Sequence, residues 1–148
     1  MNVIEQFDSD FKEALKAKDH ARLSILRLVR SALQNAEINK RGDISDQEVI
    51  EVIQREIKQH HESVDAFNKA NRPDDVARLT SEIRVLEKYL PPQLSEDDLR
   101  NVVAAAISET GAASLSDMGK VMGSIMPKVA GRTTGDKVGA MVRSVLGK

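Results

Sequence analysis

The sequence contains no cysteine, which excludes disulfides, thiolate metal sites and cysteine nucleophiles. Tryptophan is absent too, and the aromatics, 3% of the chain, are Phe7, Phe11, Phe67 and Tyr89. A core so poor in rings must be filled by Leu, Ile, Val and Met, which suits packed helices better than a sandwich of twisted strands. No apolar run approaches the roughly 18 to 20 residues that a membrane span needs. The opening Met-Asn-Val-Ile-Glu-Gln-Phe-Asp has neither a basic stretch nor an apolar one, so no secretion signal is expected. A cytoplasmic protein without a membrane anchor is the expectation.

Charge of either sign is nearly balanced, at a net −1, which argues against a strongly nucleic-acid-binding chain as a whole. The balance is local, however. Through Tyr89 acids slightly outnumber bases. From Met118 onward the bases are Lys120, Lys128, Arg132, Lys137, Arg143 and Lys148, against the single acid Asp136.

Apolar spacing is helical throughout, with no alternating run, no internal repeat and no low-complexity tract. Ile4, Phe7, Phe11 and Leu15 recur at three and four, predicting an amphipathic helix over residues 3–18. Asp19 can cap a second helix to about residue 39, whose wide apolar stripe (Leu23 to Ala36) predicts a central place. Gly42 suits a left-handed turn. Ser45-Asp46-Gln47-Glu48 reads as a capping box for a third helix ending near residue 70. Arg72-Pro73-Asp74-Asp75 starts a fourth, with proline at the first helical position and acids at the positive end of the dipole; it is predicted to run to Leu90. Pro91-Pro92 stops it, since neither proline has an N–H. Ser95 caps a fifth helix to about residue 109. Asp117 can cap a short sixth from 118 to about 126, with Pro127 at or just past its end. Residues 136–146 form the last. The fold class is therefore all-α: an N-terminal helical bundle over 1–91 and a smaller helical domain over 92–148.

Catalytic and metal-binding constellations are scarce. His60 and His61 stand about 100° apart on their helix, each with a carboxylate one turn away (Glu56 and Asp65). A metal site would need a further ligand such as Glu82 or Glu87, and the His-Glu-x-x-His spacing of a zinc helix is missing. A solvated helix surface is the simpler account. No Gly-x-Ser-x-Gly and no Gly-x-x-x-x-Gly-Lys-Ser/Thr occurs. Asp74-Asp75 and Asp97-Asp98 fall at helix starts, where capping explains them. No catalytic residue, no metal ligand and no cofactor are expected.

The segment from Asp117 to Arg132 is different. Gly119 and Gly123 lie four apart, on one face of a helix, where each costs about 1 kcal/mol relative to alanine. Something is expected to approach that face closely, either another helix or a ligand backbone. Met118, Met122 and Met126 make a parallel stripe that reads as core. Lys120, Lys128, Arg132 and Lys137, with Gly131 in the following loop, supply positive charge. Tight helix packing beside solvated lysines is one account. A basic, glycine-lined surface for a polyphosphate backbone is the other. No aromatic follows Tyr89, so a structured RNA read by shape fits better than a stacked single strand.

These residues resemble the YqeY-like family, small proteins similar to the C-terminal tail of the B subunit of glutamyl/aspartyl-tRNA amidotransferase. The matching stretches are Arg27-Leu-Val-Arg-Ser-Ala-Leu-Gln-Asn35, Ala70-Asn-Arg72, Leu86-Glu-Lys-Tyr-Leu-Pro-Pro-Gln-Leu-Ser95, Asp117-Met-Gly-Lys-Val-Met-Gly-Ser-Ile-Met-Pro-Lys128, and Gly131-Arg132 with Gly135. Thr134 stands where the family pattern usually has aspartate. The resemblance implies a helical bundle joined to a smaller helical domain. It also implies a role near tRNA, because the similar tail grips the outer corner of tRNA while the transamidation chemistry sits in a separate domain. On that footing the chain is a non-catalytic tRNA-binding or tRNA-enzyme accessory module, expected to act as a monomer. A carbon–nitrogen ligase label would be inherited from the longer relative. The RNA-facing candidates carried over are Gly119, Lys120, Gly123, Lys128, Gly131, Arg132 and Lys137. The alternatives are a protein-interaction adaptor and an accessory component of a glutamine-dependent ligase whose active site lies on other subunits.

Overall fold

The computed structural model describes residues 2–147 and is all-α. Seven helices occur among the described residues: α1 (Val3–Ala17), α2 (His20–Lys40), α3 (Asp46–Lys69), α4 (Pro73–Glu87), α5 (Glu96–Thr110), α6 (Met118–Val129) and α7 (Gly135–Leu146), with a 3-10 turn, Leu115–Asp117, before α6. The chain divides into two compact units between Leu90 and Pro91.

Side-chain caps fix most helix starts. Asn2 accepts from the Glu5 N–H at 2.8 Å, Asp19 from Arg22 at 3.1 Å, Ser45 from Glu48 at 3.2 Å, Ser95 from Asp98 at 3.1 Å and Thr134 from Lys137 at 3.3 Å. Each satisfies one of the donors a helix leaves unpaired at its N-terminus. In the N-terminal unit two boundaries differ from the sequence expectation. The left-handed residue after α2 is Arg41 (φ 62), and Gly42 follows it, donating its N–H to Glu37 O at 3.2 Å. α4 ends at Glu87 rather than Leu90. Pro91 has no N–H for the Glu87 carbonyl, which accepts from Leu90 at 3.1 Å instead, tightening the last turn.

In the N-terminal unit α2 packs against α1, α3 and α4, while α3 and α4 form its most extensive hairpin. The core joins Phe7 and Ala14 of α1 to Leu26 and Val29 of α2, Val49 and Ile53 of α3, and Leu86 of α4. His60 is buried between α3 and α4: its Nε2 meets Glu82 Oε2 at 2.8 Å and its Nδ1 meets the Glu56 carbonyl at 3.0 Å. Both ring nitrogens are thereby occupied, and no group of residues suited to a metal ion occurs among the described residues.

Tyr89 ties the end of this unit to α1. Its hydroxyl donates to Asp10 at 2.6 Å, and its ring lies 5.8 Å from that of Phe7. Burial first, then the Asp10 hydrogen bond, pushes the phenol pKa well above its ordinary value. A raised folded pKa means that this contribution is complete below the unfolded pKa of about 10 and is lost as pH climbs above it. Chemical denaturation at a series of pH values should show wild-type stability falling above about pH 10. Tyr89→Phe should begin about 1 kcal/mol lower at neutral pH and lack that decline. A decline that persists in Tyr89→Phe would assign it to other groups.

The C-terminal unit closes around a second core, with Leu99, Val103 and Ala106 from α5, Val121, Ile125 and Val129 from α6, and Val138, Met141 and Val142 from α7.

Candidate nucleic-acid interface

The 3-10 turn before α6 is organised by Asp117, though not as a cap of α6. Its carboxylate accepts from the N–H groups of Ala113 at 2.9 Å and Ser114 at 3.3 Å. These two bonds, with the nearby Lys120 charge adding to them, hold its pKa below the usual carboxylate range. No side-chain oxygen caps α6, so its first turn lacks a side-chain acceptor.

Val121, Ile125 and Val129 fix which face of α6 looks inward. Met118 and Met126 turn toward α7. A Cβ on Gly139 would lie 3.4 Å from Met118 Cε, and one on Gly135 would lie 3.9 Å from Met126 Cε. Gly119 and Gly123 are on the solvent side, and a Cβ on either would meet nothing within 4 Å. Of the two expected neighbours, another helix or a ligand backbone, no helix among the described residues of this unit is there: α5 and α7 pack on other sides of α6, and the glycine face is a strip of open helical backbone. Lys120 and Pro127, both exposed, share its arc within about 100° of Gly119.

Pro127 lies inside α6, which runs to Val129, and not past its end. Proline supplies no N–H to the carbonyl four residues earlier, which is that of Gly123. A glycine there leaves the backbone free to tilt the carbonyl away from the proline ring, and only one bond in the last turns is lost.

The loop after α6 is tied to the segment before α5. Gly131 is buried with φ 80, a conformation suited to glycine. Its carbonyl accepts from Gln93 Nε2 at 2.9 Å, and the Arg132 carbonyl accepts from the Leu94 N–H at 2.9 Å. The Arg132 side chain donates through Nε to the Pro92 carbonyl at 3.2 Å, leaving most of its guanidinium outward.

The candidate cations do not share one surface. Lys128 leans toward α5 and pairs with Glu109 at 3.2 Å, an exposed pair of small energetic weight. Lys137 lies on the α7 edge opposite Gly135 and Gly139. There, with Met141 and Ser144, it lines a hollow of about 440 Å³ shared with Leu99 and Arg100 of α5. Arg143 is the cation that adjoins the α6–α7 seam. Its Nη2 would be 3.6 Å from a Cβ on Gly139, beside the Met118 methyl that precedes Gly119. The legible signal for Arg143 was its place one turn after Gly139, whose missing side chain makes room for the guanidinium. The strip of bare backbone is therefore flanked by Lys120 on one side and Arg143 on the other, with Arg132 in the loop beyond its end.

A sequence model of the family described as Yqey-like protein matches residues 4–146. The chain belongs to the YqeY-like family. It is 27% identical over 150 residues to altered inheritance of mitochondria protein 41 of Pyrenophora tritici-repentis, a match spanning 98% of this chain and 81% of that one. The protein of the same name from Lachancea thermotolerans is 30% identical over 112 residues, 74% of this chain and 60% of its own length. That from Kluyveromyces lactis is 34% identical over 87 residues, covering 58% and 47%. This YqeY-like chain thus spans less than two thirds of the latter two, which, like the first, are named as mitochondrial proteins. No helix among its own described residues is long and apolar enough to cross a membrane.

Proposed function

We propose that this YqeY-like protein is a non-catalytic accessory module that binds structured RNA, tRNA in particular, through the C-terminal unit, working in the cytoplasm as a monomer. One observation carries the reading: Gly119 and Gly123 weaken α6, while no described residue of the C-terminal unit comes within 4 Å of the space they leave. A helix face kept bare at a cost in stability fits close approach by an external backbone. Lys120 and Arg143 beside that face, with Arg132 beyond it, supply charge for phosphates. The resemblance to the amidotransferase tail points to tRNA rather than to another polyanion. The non-catalytic part of the reading is supported by His60, whose ring is consumed in bridging α3 and α4.

Bulk tRNA binding measured across a salt series tests this. With about three phosphates contacted, log affinity should fall against log salt with a slope of about −3. Lys120→Ala with Arg143→Ala should reduce the slope by about 2. Lys137→Ala should leave it nearly unchanged, because that side chain lines the α5–α7 hollow. A folded wild type that fails to bind tRNA at any salt would turn the assignment to a protein adaptor.

A further inference from the structure

The motif from Arg27 to Asn35 takes no part in the C-terminal strip, yet α2 gives it an exposed face of unusual composition. Arg27, Ser31, Gln34 and Asn35 fall within one arc of the helix and are exposed, as are Leu28 (46%) and Ile38 (71%). The four polar side chains make no hydrogen bond and no ion pair among the described residues. In a protein with 30% charged residues, this arc carries no carboxylate. Acids occur only at its margins. Glu82 is held by His60 at 2.8 Å and by Arg78 at 3.7 Å, and at the C-terminal end of α2 Glu37 and Asp43 line a hollow together with Gln34, Ile38 and Arg41. The other α2 cations are engaged: Arg30 lies 4.9 Å over the Phe11 ring, Arg22 reaches Asp10 at 3.8 Å, and Lys40 meets Glu48 at 2.7 Å. Arg27 is the cation left on the arc.

We propose that this face of α2 is a second RNA contact, which reads ribose 2′-hydroxyls across the shallow minor groove of an A-form helix. The proposal rests on the RNA-binding reading above and adds a surface and a chemistry to it. Arg27 to Ile38 spans about 16 Å, three turns, a length that can lie across such a groove. Amide and hydroxyl side chains both donate and accept, matching a 2′-hydroxyl, which does the same. The single arginine suits a flanking phosphate, and the arc itself carries no carboxylate, Glu37 and Asp43 standing at its C-terminal end with Arg41. A protein partner fits less well. Leu28 and Ile38 are about 15 Å apart along the helix, and neither an aromatic nor a methionine joins them to form the apolar centre that protein interfaces use.

The discriminating measurement compares a tRNA-like RNA hairpin with a DNA hairpin of the same sequence. Wild-type protein, Gln34→Ala with Asn35→Ala, and Arg27→Ala would each be titrated at two salt concentrations, with circular dichroism to confirm folding. Wild type should prefer RNA by about tenfold or more, a difference of about 1.4 kcal/mol. The amide double variant should lose that preference without changing the salt slope. Arg27→Ala should lower the slope by about 1. If the double variant keeps the wild-type preference, the α2 assignment falls while the RNA reading stands. If wild type binds neither hairpin, both fall. If the α2 variants bind RNA normally but lose a co-purifying protein, the face belongs to a protein partner and the proposal is overturned.

Discussion

Exchanging Gly119 and Gly123 for alanine is expected to stabilise the protein by between about 1 and 2 kcal/mol while lowering its affinity for tRNA about tenfold. The two effects have one cause. A methyl group at either position enters open space, so nothing inside the unit resists it. The unfolded chain loses the extra freedom of glycine, and the helix gains. Gly123, in mid-helix, should contribute more than Gly119, which sits in the first turn. The same methyls stand where the proposed RNA backbone must lie, and Gly123→Leu should block it further with little harm to folding. Urea denaturation and tRNA titration of the same preparations give the two numbers. Variants that gain stability and bind as well as wild type would remove the reason for the bare strip and with it the binding reading.

Ile125→Ala should unfold the C-terminal unit and leave the N-terminal one standing. Ile125 is fully buried at the centre of the second core, between Val121 and Val129 of its own helix and the side chains of α5 and α7. Its truncation should cost about 3 kcal/mol from lost burial and the cavity left behind. A unit of this size has little reserve, because a small core buries a lower share of its surface. The other core shares no residue with it. Hydrogen exchange should show α5, α6 and α7 losing protection while α2 and α3 keep theirs, and tRNA binding through α6 should disappear with them. A uniform loss over both units would mean that they fold as one cooperative body.

How far the sequence could be read depended on whether a residue's role is local. Ser45, Ser95 and Thr134 cap the helices their spacing announced, because a cap is settled by the next three residues. The dual stripe of α6, apolar on one side and methionine-rich on another, was legible for the same reason. Pro127 was misplaced because proline ordinarily stops a helix; here it is admitted near the end, where a glycine four residues earlier eases the fit. The register of the turn after α2 slipped by one residue, since Gly42 is the obvious candidate for a left-handed conformation and Arg41 adopts it instead. Which cations gather was beyond reach from spacing alone. Lys137 and Arg143 belong to the same helix, and only Lys137 was a candidate from the sequence, but Arg143 stands at the α6 seam beside Gly139 and Met118 while Lys137 lines the α5 hollow. Whether the glycine face met a neighbour was likewise a question only the packing of α5 and α7 could answer.

The proline in α6 has a consequence for what can seat itself there. Without an N–H at Pro127, the Gly123 carbonyl has no donor from the residue four places on. Any partner that dries the strip must bring a hydrogen-bond donor to that oxygen, or else strand it. A bare phosphate has only acceptors and cannot do so. A base amino group or a hydroxyl can, so on the RNA reading proposed above the strip would sort its ligands by the direction of one proton as well as by charge.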